Sequence, residues 1–174
     1  RGRLYERLPV LALALGLLDW REAEKTGTDG QLFYAPVSFL AKAQTDRETA
    51  ERTLLHSVLH AMLGHIWERG NRAEGKWSLA CDMAAEFLRQ RLLDRPLEGL
   101  YAQAFYACGD GAAYSARSVY ARLEGEFPIP QDELREAFRR DSHEYWAAAA
   151  QREQRARASG EGLAAVWKRQ EDHL

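Results

Sequence analysis

Apolar positions recur at helical spacing over several stretches of the chain, separated by short polar or Gly-rich breaks. Thr45-Asp46-Arg47-Glu48 has the form of a helix start, with Thr45 or Asp46 as cap and Glu48 or Glu51 in the first turns. From there the apolar periodicity runs through Leu54, Leu55, Val58, Leu59 and Met62 and predicts a helix continuing to Trp67. The polar segment 68–75 breaks it. Trp77, Leu79, Ala80, Met83, Ala84 and Phe87 then form a second apolar stripe that predicts a helix to about Leu93, closed by Pro96.

Before these, Leu8, Leu11, Leu15 and Leu18 lie on one stripe and predict a first helix from near Leu8 to Ala23, ended by the polar, Gly-rich 25–30. The arginines and apolar run at this end resemble a leader peptide superficially, but no cleavage site follows, and the run is too short to span a bilayer. Gln31-Leu32-Phe33-Tyr34-Ala35, stopped by Pro36, has the profile of a short edge strand, and Val37 to Ala43 of a helical turn. Residues 94–114 carry mixed loop and apolar signals and give no assignment. Residues 115–123 read as helix and Pro128-Ile129-Pro130 as a break. A last helix is expected from Gln131 past Trp146 to an interruption at Ser159-Gly160. The fold class is therefore α+β, predominantly helical, as one domain over 1–174 with a core at 1–93 and a helical part at 94–174.

Charge narrows the function classes. With 24 Lys and Arg against 26 Asp and Glu the net charge is −2, which offers no footprint for nucleic acid or an anionic membrane. Two cysteines, Cys81 and Cys108, are too few for a disulfide framework, so a reducing, cytoplasmic location is expected.

The candidate chemistry sits on the middle helix. His56 and His60 are four apart, offset by about 40° around a helix axis, so both imidazoles face one way as in a metal-binding helix. The zinc-peptidase signature His-Glu-x-x-His has its general base after the first histidine, and here that position is Ser57, whose hydroxyl cannot take a proton from a metal-bound water. A third ligand is expected from the next helix. Asp82 stands among Leu79, Ala80, Cys81, Met83 and Ala84, where a carboxylate needs a partner such as a metal or an arginine, for instance Arg89. Glu86, one turn on, is an alternative ligand or an acceptor for a histidine N–H. His65, on a helix continuing to Trp67, would point about 180° away from His56 and could join only if the helix broke at Gly64, which leaves it an outer or alternative ligand. Glu51 and Glu86 are the substitute bases the chain offers.

Three runs together carry a family resemblance: Thr28-Asp29-Gly30-Gln31-Leu32-Phe33-Tyr34-Ala35-Pro36, Leu54-Leu55-His56-Ser57-Val58-Leu59-His60-Ala61-Met62-Leu63-Gly64-His65 and Trp77-Ser78-Leu79-Ala80-Cys81-Asp82. In order and spacing they resemble the bacterial metallopeptidase domain that precedes von Willebrand factor A-like domains. Residues 118–120 and Asp141-Ser142-His143-Glu144-Tyr145-Trp146 look similar to later family segments. The resemblance implies a zincin-like fold, zinc held by His56, His60 and Asp82, and Leu32, Phe33 and Tyr34 in a strand or hairpin beside the substrate cleft. It also implies an AAA-type ATPase and a von Willebrand factor A-like region as partners.

Two positions depart from the family pattern, Ser57 for Glu and Ser78 for Asn. The leading expectation is thus a metallopeptidase-like domain with lost or impaired hydrolysis, acting on a peptide or protein partner as a binding or regulatory module. The alternatives are an active zinc peptidase with another base and a metal-free helical scaffold. Tyr145, Trp146 and the alanine run 147–150 are expected to dock on the domain itself or on a partner helix.

Overall fold

The computed structural model describes residues 12–158 and residue 162. Helices dominate, with one small three-stranded sheet, so the chain is α+β. It divides into two compact units, one formed by the residues up to Glu68 with those from Asp141 on, the other by Arg69–Arg140. The helical part expected over 94–174 is shared between them. No helix among the described residues is long and apolar enough to cross a membrane.

In the first unit, helix α1 (Ala12–Leu17) leads into strand β1 (Asp19–Glu22), followed by β2 (Gly27–Thr28) and β3 (Leu32–Ala35). The expected helix to Ala23 is therefore corrected over its last turn, which is strand, and its start at Leu8 lies outside the described residues. The cause is pairing: β1 runs parallel to β3 with Asp19 opposite Leu32 and Glu22 opposite Ala35. Backbone hydrogen bonds gained across a sheet outweigh the weak helical bias of four residues.

The strand at Leu32–Ala35 forms as expected, but it is central and not an edge, because β2 pairs on its other side in an antiparallel hairpin. Pro36 follows the strand and so removes no ladder donor. Thr28-Asp29-Gly30 makes the hairpin turn. Asp29 Oδ1 accepts from Gln31 N at 2.9 Å and Leu32 N at 2.8 Å, and its Oδ2 accepts from Tyr34 Oη at 2.9 Å and Arg152 Nη2 at 2.6 Å. Gly30 sits at φ 86°, where a side chain would meet the Trp67 ring at 2.5 Å.

Helix α2 (Val37–Thr45) precedes α3 (Arg47–Met62), the histidine helix. Of the two expected caps, Thr45 and Asp46, it is Asp46 that caps α3, accepting from Thr49 N at 3.1 Å. From Thr53 to Met62 every residue is buried, with α1, α2 and β2 packed against the helix. The helix does not continue to Trp67. It stops at Met62, Gly64 takes φ 71°, and His65 N donates back to His60 O at 3.0 Å while Gly64 N donates to Ala61 O at 3.2 Å. This glycine-dependent reversal closes the last turn and satisfies two carbonyls that a helix end leaves open.

The single helix expected from Gln131 past Trp146 is instead two helices, one in each unit. The one in the first unit, α8 (Trp146–Ala158), is preceded by an irregular segment from Asp141. Ser159-Gly160 lies outside the described residues. The segment docks on the hairpin: Ser142 N donates to Thr26 O at 2.6 Å, Tyr145 Oη to Lys25 O at 3.0 Å, and the Tyr145 ring stacks on Tyr34 at 4.1 Å. Gly27 lets the segment approach, since a Cβ there would strike the Ser142 carbonyl. Tyr145, Trp146 and Ala149 thus pack on their own unit, with Trp146 and Ala149 buried.

The second unit is all helical among its described residues: α4 (Glu74–Leu92), α5 (Gly99–Cys108), a 3₁₀ turn at Gly111–Tyr114, α6 (Ala116–Glu124) and α7 (Gln131–Phe138). Phe87 lies edge-on to Phe105 and Phe138, each at 5.3 Å. Cys81 and Cys108 are both buried thiols outside any disulfide. Burial pushes the Cys108 thiol up to about 11, against a smaller opposing pull from Arg122. At pH 8 its thiolate fraction is then about a hundredfold below that of an unperturbed cysteine, so a thiol-reactive dye should label Cys108 in native protein roughly that much more slowly than in denatured protein. Equal rates would show that Cys108 is exposed.

Candidate metal centre

The spacing of His56 and His60 does what a helical period requires. Both are fully buried, and their Nε2 atoms are 2.8 Å apart with the rings edge to face. Because α3 reverses at Gly64, His65 is brought back to His60 and not turned away: the two Nδ1 atoms are 2.9 Å apart. The physical reason is the left-handed turn, which a residue with a Cβ would resist. If the His60 proton resides on Nδ1, His65 accepts it and His60 Nε2 presents a lone pair; the second nitrogen sets which tautomer faces the site.

Ser57 is fully buried and does not face an empty base position. Its Oγ donates to Asp141 Oδ2 at 2.5 Å, across 84 residues of sequence. The other carboxylate oxygen, Oδ1, lies 3.9 Å from His56 Nε2 and 3.9 Å from His60 Nε2, with His143 Nε2 at 3.3 Å. The His143 ring is stacked on Trp146 at 3.6 Å, and both rings sit 4.9 Å from that of His60. Burial alone would push the Asp141 carboxyl up; the hydrogen bond with His143 and the nearby imidazoles of His60, His56 and His143 outweigh it and hold the group below the ordinary aspartate value. Asp141 is the carboxylate of this unit's cluster, and helical patterning does not find it. A local signal exists, since Asp-Ser in succession is turn and cap chemistry and argues against an unbroken helix there.

The three atoms are close enough to share one ion. A triangle with sides of 2.8, 3.9 and 3.9 Å has its centre about 2.1 Å from each corner, the distance zinc takes to imidazole nitrogen and carboxylate oxygen. Among the described residues of this unit, His56, His60 and Asp141 therefore could hold a metal ion. Comparison with protein-family models, curated proteins and solved structures finds no match.

Asp82 lies in the second unit, buried on α4. Glu86, on the same helix and fully buried, is engaged by Arg89: Nε donates to Oε1 at 3.1 Å and Nη2 to Oε2 at 3.3 Å, with Arg140 Nε at 3.9 Å. Leu32, Phe33 and Tyr34 are in β3, whose two sides are both paired, so this strand has no open edge for an extended peptide.

Proposed function

We propose that the protein is a zincin-like, metallopeptidase-like domain that keeps a zinc site and has lost hydrolysis, serving as a binding or regulatory module for a peptide or protein partner. The observation that carries this reading is the point about 2.1 Å from His56 Nε2, His60 Nε2 and Asp141 Oδ1, the zinc–ligand distance. Zinc accepts imidazole nitrogen and carboxylate oxygen within one site. Asp82 is the further ligand that the sequence pattern proposes. In a peptidase, zinc supplies Lewis acidity and a bound water whose pKa falls to ~7, but a base must then take the proton. Ser57 cannot be that base, because its hydroxyl is itself the donor to Asp141. The full burial of His56 and His60 also favours a closed ligand set over one open to substrate. An AAA-type ATPase and a von Willebrand factor A-like region remain proposals that rest on sequence resemblance.

A second reading has its own support. The contacts from His56 to His60 and from His60 to His65, at 2.8 and 2.9 Å, are hydrogen-bond distances that a metal-free chain of imidazoles would also make. Zinc analysis of protein purified without chelator separates the two. The zincin-like reading expects about one zinc per chain, lost in His56→Ala and in His60→Ala, and no chelator-sensitive cleavage of a peptide library. Substoichiometric zinc in the parent, with His60→Ala costing stability alone, would favour the metal-free scaffold.

A further inference from the structure

We propose that Asp141 is a metal ligand delivered by the segment that begins at it, and that Ser57 is the positioning residue that aims it, so that a divalent cation fastens this segment to the histidine helix. The inference rests on the zinc-binding reading and extends it. In the sequence, Ser57 looks like a lost carboxylate. In the fold, a carboxylate lies beside it all the same, supplied from Asp141 across 84 residues and held by Ser57 through Oδ2 at 2.5 Å. That bond leaves Oδ1 turned toward the histidine pair, equidistant at 3.9 Å from both Nε2 atoms. A carboxylate free to rotate would lose this alignment, and a ligand held by an outer hydrogen bond is a recurring device of metal sites.

The segment is shaped for such a fastening. Ser142 bonds to Thr26, Tyr145 stacks on Tyr34, and Trp146 packs on His60, so Asp141 is the first residue of a stretch already seated on the hairpin and histidine helix. His143 adds a second contact to Oδ1 at 3.3 Å. A cation at the shared centre would join α3 to this stretch by bonds that neither packing nor the sheet provides, which is what a closed, structural metal site does. The serine would then be required, as a residue small enough to admit the Asp141 side chain and able to donate to it.

Zinc affinity of the full chain, measured by competition with a chromogenic chelator, tests this together with the visible spectrum of the cobalt-loaded protein. Asp141→Asn keeps the size of the side chain and an oxygen for the Ser57 bond. It should weaken zinc by more than Ser57→Ala, for which about 10–100-fold is expected of an orienting residue, and should change the cobalt spectrum. Zinc lost in His60→Ala but bound by Asp141→Asn with parental affinity and spectrum would overturn the Asp141 assignment alone. A parent that binds no zinc would overturn the zinc-binding reading with it. Should Asp141→Asn not fold, hydrogen exchange of the parent decides: zinc should slow exchange of the amides at 141–146 at least tenfold and chelator should reverse it, whereas no change would overturn the proposal.

Discussion

Ser57→Glu, the substitution that would recreate a zinc-peptidase signature, should yield no peptidase and should instead unfold the first unit at a markedly lower temperature. Ser57 is fully buried and its Oγ is 2.5 Å from Asp141 Oδ2. A glutamate there brings a second carboxylate onto the first where water does not reach, and two such groups cannot both ionise cheaply. The added length also overpacks the site, at a typical cost of 1–3 kcal/mol, so the total should reach about 4 kcal/mol or more. For a chain of this size that is a fall of roughly 10 °C in Tm. The double variant Ser57→Glu with Asp141→Ala removes the competing carboxylate and should regain much of the loss, a non-additivity that marks direct contact. Ser57→Glu protein that melts like the parent and cleaves peptides would show instead that the serine is merely a lost base.

A comparable loss should follow from Glu86→Ala, for a different reason and with the metal untouched. Glu86 is fully buried and Arg89 is 2% exposed, and the two share two hydrogen bonds. Removing the carboxylate takes two charge-assisted hydrogen bonds from a buried guanidinium, and breaking a buried pair costs about 3–5 kcal/mol, whereas Glu86→Gln keeps part of the bonding and should cost less. Thermal unfolding with zinc analysis on the same samples checks this. Reduced stability with parental zinc content identifies Glu86 as the anchor of Arg89. Zinc lost at parental stability would make it the ligand that its place one turn after Asp82 also allows.

Both expectations turn on contacts of unequal legibility. The histidine helix could be read in advance because its determinants are local. Asp46 caps it, its apolar residues recur at the helical period, and a spacing of four puts His56 and His60 on one face whatever surrounds them. The turn at Thr28-Asp29-Gly30 and the start of α4 after a polar break were legible for the same reason. Where a local bias was weak, distant partners prevailed. The residues after Leu18 became strand through pairing with β3, and β3 became central once β1 joined it on one side and β2 on the other.

By itself, then, the sequence determined a largely helical α+β chain and a buried helix carrying two histidines on one face, with Ser57 next to the first of them. These follow from propensity, periodicity and capping, which act within a few residues. Only the tertiary structure decided what the serine does. The reversal at Gly64 returns His65 to His60, and the break before Trp146 sends Asp141 to Ser57. A hydrogen bond between residues 84 apart leaves no periodic trace in either segment, because it is fixed by where the chain folds back and by the need of a buried carboxylate for donors.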